Sequence, residues 1–444
     1  MPEKAIVGAT VIDWTGRAPV SNAVVLVAAE RIVSVASGAD LPVPEQAEII
    51  DASGRYIVPG LMDANVHLCA AFTPELLLEF EGRYEEVIEE AAQVALRAGV
   101  TTVFDTWGPL RPLVAVRDRI NRGEVTGSRI FLAGNIVGFD GPLSADHFKV
   151  GDVLGRDVVD RINGQWEFRV GRELLLLSRD EVGRRVRGYI ESSGIDFLKY
   201  AATGHINSEF ITFSDRVQRA IVEEAHAAGL TAQAHTTTPE SLRMEIEAGA
   251  DLLQHGNVTG PEVIPDETLD VIVDRRLPVA AFANTQTYMK WARAHLDSPV
   301  SAGFQTWEKN NRLLIERGAR LLLTTDGYIS TPRVLEHPQM GEWVRGPEFS
   351  MQLGESHFLW MQAVSELGMA PMQVLLSATR HLAEAYDVHA ELGTLEPGKR
   401  ADLLILEADP LEAVGNYRRC AAVMKDGEFV DREGLPVRRV LTAE

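Results

Sequence analysis

Val58-Pro59-Gly60-Leu61-Met62-Asp63-Ala64-Asn65-Val66-His67 reads as a turn, a short buried strand, and polar groups where that strand ends. Side chains two apart on a strand point to the same face. Asn65 and His67 are therefore expected to project into one site. Two histidines in those places would mark a metal site; here the first is an asparagine. The reading then depends on what stands at the ends of the other strands.

Upstream, residues 4–12, 22–27 and 31–35 are short β-branched runs, separated by Gly16, Pro19 and a turn-rich stretch at 38–44. They predict a small β module. Downstream the texture alternates. Strands are expected at 60–64, 100–105, 128–133, 197–201, 231–234, 251–254, 278–282 and 320–325. Helical spacing covers 84–98, 178–193, 214–228, 239–248, 266–275 and 304–317, with Gly99, Gly229, Gly249 and Gly318 as stops. Such alternation predicts a parallel sheet with right-handed crossovers. Eight units indicate an α/β fold of the (β/α)8 TIM-barrel type over 60–386. Further helices at 358–367 and 372–386 lead back to β texture at 401–406 and 421–425, with an Asp426-Gly427 hairpin turn. Residues 1–59 and 387–444 are thus expected to form one composite β-sandwich domain. Two long segments, 134–171 with Phe139, Phe148 and Trp166, and 328–352 with Trp343, follow barrel strands and read as substrate-shaping lids.

Composition excludes some functions. The 444 residues are 45% hydrophobic and 24% charged, ordinary for a soluble protein. A net charge of −21 disfavours nucleic acid and anionic membranes as partners. Cys69 and Cys420 cannot build a disulfide framework or a thiolate zinc cluster, which fits a reducing cytoplasm. No signal peptide or membrane-spanning run is expected.

At the C-terminal ends of the expected strands stand Asn65 and His67, then Lys199, His235, His255 and Asp326. Each has an ordinary alternative. A lone histidine is commonly a hydrogen-bonded structural residue, Lys199 a salt-bridge partner, and Asp326 a cap. His226, His295, His381 and His389 are read that way. In a barrel, however, the strand ends converge on one mouth, and five units at the same phase point to a metal site. Imidazole nitrogens and carboxylate oxygens suit zinc, iron, manganese or cobalt.

The layout resembles the amidohydrolase superfamily along essentially the whole chain. The matching residues are Pro59-Gly60-Leu61-Met62-Asp63-Ala64-Asn65-Val66-His67, Gly99-Val100-Thr101-Thr102-Val103-Phe104-Asp105, Ala234-His235-Thr236, Gln254-His255-Gly256, Thr325-Asp326-Gly327 and the tail from Leu392 to Leu403. Asn-x-His in place of His-x-His is similar to a small subgroup of herbicide-degrading hydrolases acting on phenylureas and on molinate-type thiocarbamates.

The resemblance implies one or two divalent ions. Asn65, His67, Lys199 and Asp326 would hold the first, and Lys199, His235 and His255 the second, with CO2 taken up as a carbamate on Lys199. Asp326 and His255 are the expected catalytic residues, and hydroxide on the metal the expected nucleophile. His205 and Tyr288 are expected to bind substrate, with Asn207, Trp291 and Tyr328 near the mouth. The implied substrate is a small, neutral, aryl-bearing urea or carbamate, such as diuron or linuron, cleaved to an aniline by a homo-oligomeric enzyme. A thiocarbamate hydrolase, a dipeptidase or cyclic-amide hydrolase, and a barrel scaffold without metal are the alternatives.

Overall fold

Buried β-branched and apolar runs at both ends of the chain meet in one sheet. The computed structural model describes residues 3–13, 18–69, 73–144, 154–204, 210–337 and 340–442. Its first strands are β1 (Lys4–Val11), β2 (Val20–Ala28), β3 (Arg31–Ser37), β4 (Glu48–Asp51) and β5 (Tyr56–Pro59). Next come β6 (Leu61–Val66), β7 (Val100–Asp105), β8 (Arg129–Leu132), β9 (Leu198–Ala201), β10 (Ala232–His235), β11 (Leu253–Gln254), β12 (Pro278–Ala280) and β13 (Arg320–Leu322). Last are β14 (Leu403–Leu406), β15 (Cys420–Lys425) and β16 (Glu428–Phe429).

The order β16-β15-β14-β5-β1-β2-β3, with β4 also on β1, makes a single eight-stranded sheet from the two ends. Val58 of β5 pairs antiparallel with Leu404 of β14. One face buries Ile6, Val25, Ile57, Leu403 and Ile405. The other buries Ala5, Val24 and Leu26 under Leu41 and Val43. Asp426 and Gly427 both have positive φ, which is the backbone of a type I′ hairpin.

The middle of the chain is mixed α/β with parallel pairing. β6-β7-β8, β9-β10 and β11-β12-β13 are each parallel. Parallel bridges link Val137 to Tyr200, Gln233 to Leu252 and Val66 to Gly327. These pairings run round in a ring of eight segments, consistent with the expected barrel. Amphipathic helices pack on it, such as Tyr84–Arg97, which buries Val87, Ile88, Ala91 and Ala95. Gly99, at φ 93°, follows its end, as its place in the sequence required.

Several local readings change. The helix Leu110–Asn121 and the helix Gln286–His295 were not expected. The helix expected at 304–317 begins earlier, as Ser298–Glu316, because Asp297 caps it and Pro299 occupies its first turn. The helix expected at 372–386 is two, Pro371–Ser377 and Arg380–Ala385. The break has a cause in the ring: the carbonyls of Ser377 and Ala378 accept from Leu323 N and Met62 N, both at 2.8–2.9 Å. Among the described residues no helix is long and apolar enough to cross a membrane.

Candidate metal centre

Strands β6, β7, β9, β10, β11 and β13 all deliver polar residues at or just past their C-terminal ends. Strand β6 carries Asn65, fully buried, and leads to His67. Lys199 lies on β9, His235 ends β10, His255 follows β11 and Asp326 follows β13. His255 and Asp326 both hold left-handed backbone, at φ 58° and 54°. Non-glycine residues in that region are uncommon, and the conformation costs energy that the surroundings must offset. In each case a sharp turn ends the strand at the residue expected to be catalytic.

Asp63 fixes the first and last strands to each other. Its Oδ1 accepts from Asn65 N and Thr325 N, and its Oδ2 from Thr325 Oγ1 at 2.5 Å. Burial raises this carboxyl to about 7. Asp105, at the end of β7, accepts from Leu68 N and Trp107 N, and burial raises it to about 6. The ends of β6, β7 and β13 are thereby tied by two buried aspartates.

On this frame Asp326 Oδ1 accepts from Asn65 Nδ2 at 2.6 Å and faces His67 Nε2 at 2.9 Å. His67 Nδ1 faces the Trp107 carbonyl at 3.2 Å. Thr106 Oγ1 donates to Asn65 Oδ1 and accepts from Lys199 Nζ at 3.1 Å. The His235 and His255 rings meet edge to face, with centroids 4.9 Å apart. Phe139 packs on His235 at 5.5 Å, and Phe282 on His255 at 4.7 Å.

Burial alone would push the Asp326 carboxyl up, but His67, His255 and Lys199 hold it well below the usual carboxylate range. It is ionised at any working pH. Burial lowers Lys199 to about 8, against the pull of Asp326, Asp105 and Glu245. A metal is tested by His67. Both its ring nitrogens face acceptor oxygens; a protonated ring satisfies both, whereas the neutral ring that ligates a metal has only one N–H to donate. A cation shared by Nε2 and Asp326 resolves that conflict while Nδ1–H stays on Trp107, the usual arrangement for a ligating histidine. Among the described residues no three His, Cys, Asp or Glu side chains already form a cage. The donors stand instead as two pairs, His67 with Asp326 and His235 with His255, and Lys199 and His255 lie near enough to act on Asp326. This donor set fits a divalent ion of the zinc type.

Other expected residues lie elsewhere. Tyr288 is buried, and its hydroxyl donates to the Trp343 carbonyl at 2.8 Å. It belongs to an aromatic cluster with Phe304, Trp307 and Trp343, so it is not brought together with the metal-type donors. His205 and Asn207 lie outside the described residues, as does Phe148. His226 pairs with Asp251, and His295 faces the Trp291 carbonyl, as structural histidines do. Thr106 and Asp105 were not singled out for the site; a lone threonine or aspartate past a strand has no spacing to betray it.

A cavity of about 260 Å³ opens beside Phe139, lined also by Arg172, Leu175, Phe210 and Ile211. Phe210, Leu175 and Ile211 are exposed there. A larger cavity, about 1050 Å³, is at the opposite end of the ring, and none of the strand-end donors lines it.

Comparison with known proteins gives the family. Residues 56–430 match the amidohydrolase family model. The structure of molinate hydrolase superposes with a TM-score of 0.93 at 38% identity, covering 100% of this chain and 98% of that one. That of phenylurea hydrolase B superposes at 0.91 with 37% identity, covering 99% of each. Ochratoxinase of Aspergillus niger is 24% identical over 449 residues, 94% of this chain and 84% of that protein. The chain belongs to the amidohydrolase family and is a hydrolase acting on carbon–nitrogen bonds.

Proposed function

We propose that this chain is a divalent-metal-dependent hydrolase of small neutral ureas or carbamates, with an N-aryl urea as its preferred substrate class. The observation that carries the reading is the meeting of His67, Lys199, His235, His255 and an ionised Asp326 at one end of the parallel ring. Identity of 37–38% over nearly full length to proteins named for molinate and phenylurea supports the substrate class.

On this reading His67, Asp326, His235 and His255 hold the ion, and Lys199 joins them as a carbamate. A buried amine lowered to about 8 has a neutral fraction able to take up CO2. When bound, the ion polarises the substrate carbonyl and makes a water acidic enough to attack at neutral pH. Both hydrogen bonds at Asp326 fall on Oδ1, so Oδ2 receives the proton of the attacking water. Asp326 then passes that proton to the departing nitrogen, which needs it to leave as an amine. Phe139, with Leu175, Phe210 and Ile211 of the cavity beside it, takes the ring of the substrate and keeps water from the carbonyl. The segments 134–171 and 328–352, of which 145–153 and 338–339 lie outside the described residues, act as lids over this mouth. The enzyme works in the cytoplasm as a homo-oligomer.

Arg172 on the rim of that cavity favours a second reading, a substrate carrying a carboxylate, as in an acyl-amino acid or dipeptide. One panel decides. The purified chain, loaded in turn with zinc, cobalt, manganese and iron, is assayed against N-aryl dialkylureas, thiocarbamates and N-acyl amino acids. Release of aniline from the ureas is expected. Inert ureas with cleaved acyl-amino acids would establish the second reading, and a chain that binds no metal and cleaves nothing would overturn both.

A further inference from the structure

Asn65 stands where a histidine pair would have its first member, and its amide makes two hydrogen bonds of opposite sense. One end of the amide lies 2.6 Å from Asp326 Oδ1. That end is the NH2 group, which donates to the carboxyl oxygen. The other end is then the carbonyl oxygen, and it takes the hydroxyl proton of Thr106. With its proton given to Asn65, Thr106 Oγ1 has lone pairs left, and Lys199 Nζ donates to one of them at 3.1 Å. The Thr106 hydroxyl thus donates once and accepts once, and the Asn65 amide does the same. Thr106 is fully buried, between Asp105, pinned by Leu68 N and Trp107 N, and Trp107, whose carbonyl faces His67.

We propose that Thr106 is a positioning residue: its hydroxyl holds the Asn65 carbonyl oxygen, so that Asn65 orients Asp326 as a donor and does not ligate the metal. The proposal rests on the metal-hydrolase reading above. The asparagine thus fixes the carboxylate that meets the ion, and Thr106 couples that carboxylate to Lys199 across one hydroxyl. Second-row hydrogen bonds of this kind are worth about 10–100-fold in metal-site function.

The test uses the full chain loaded with zinc, in wild type and as Asn65→Ala, Thr106→Val, Thr106→Ser and the Asn65→Ala/Thr106→Val double variant. Zinc per chain is measured without substrate; kcat and KM are measured with an N-aryl dialkylurea. Asn65→Ala and Thr106→Val should keep the wild-type zinc content, lose about 10–100-fold in kcat and leave KM within about twofold. Thr106→Ser, which keeps the hydroxyl, should restore most of the loss. The double variant should be no worse than either single, because both remove one link of the same chain. Loss of zinc in Asn65→Ala, unchanged kcat in Thr106→Val, or additive losses in the double variant would each overturn it. A crystal structure of the zinc-loaded wild type gives the answer independently of turnover or of variant folding. Thr106 Oγ1 within hydrogen-bond distance of the Asn65 carbonyl is expected; that oxygen on the zinc refutes the proposal. A wild type that holds zinc with this geometry yet cleaves no urea fails the proposed substrate class only.

Discussion

The parallel ring has a buried polar cluster at each end, and the two are built on opposite principles. At the end joined to the eight-stranded sheet, Arg129 and Asp402 are 8% and 5% exposed. Arg129 reaches Asp402 at 3.3 Å and Asp426 at 2.5 Å, and Asp426 also takes Arg400 and Lys425. Burial would raise Asp426, but Arg129 and Lys425 hold it well below the usual range. Every charge there meets an opposite charge. At the other end Lys199 is bonded to a hydroxyl, not a carboxylate, and burial lowers it to about 8. His67 faces two acceptors at once. The joint is electrostatically closed; the mouth is left wanting a cation. Saturated pairs hold two parts of a chain together, whereas an unsaturated set is where a ligand adds what is missing.

That contrast can be broken from either side. Asp326→Asn should lower kcat about 10³-fold, the scale of a lost acid–base group, while the folded chain keeps its melting profile within a small shift. A retained rate would remove Asp326 from the chemistry. Arg129→Met should do the reverse. It leaves Asp402 buried without its guanidinium, at a cost of about 3 kcal/mol in denaturant unfolding, with kcat unchanged at temperatures where the variant is folded. Equal loss of rate and stability in both variants would mean that the two ends do not differ as argued.

A third variant sharpens the boundary between them. Glu245 lies behind β10, accepting from Ala234 N at 2.7 Å, and burial raises its carboxyl well above the usual value despite hydrogen bonds from Ala234, Gln254 and Thr236 and the charge of Lys199. The folded protein therefore binds a proton there that the unfolded chain, titrating near about 4.3, has lost. Stability contributed by this group falls as pH rises from about 4.3 toward the folded pKa. Glu245→Gln keeps the acceptor oxygen and removes the titration. Its stability relative to wild type should climb with pH, by at most about 1.4 kcal/mol per unit. A flat difference between pH 5 and 8 would mean that Glu245 is ionised in the fold.

How far the sequence carried these conclusions differs from residue to residue. Several strand ends were legible because an apolar run stops at a polar residue, as at His235, His255 and Asp326, and Gly99 marked a helix end by its need for positive φ. The ligand-type residues were legible because they share a phase. Thr106 was not, because its role comes from Asn65 and Lys199, neighbours brought by two other strands. The helix break at Ala378 was hidden for the same reason: the amides that take its carbonyls belong to Met62 and Leu323. Composition is ambiguous at Tyr288 and Trp291, since an aromatic-rich stretch after a strand looks alike whether it lines a mouth or packs a helix into the core.

Tyr288→Phe is the smallest expected effect and separates those two cases. The ring stays packed against Phe304 at 5.6 Å, and only the hydrogen bond to the Trp343 carbonyl is lost. Losing one such bond costs about 1 kcal/mol, because the carbonyl must then find water or go unpaired. Trp343 lies on the 328–352 segment, so the cost should appear as faster proteolysis there and a slightly lower melting temperature. A substrate-binding hydroxyl would behave differently: its removal would raise KM for a urea whose carbonyl it held, with no change in melting. An unchanged KM with lowered stability confirms Tyr288 as the anchor of that segment, and the opposite pattern returns it to the mouth.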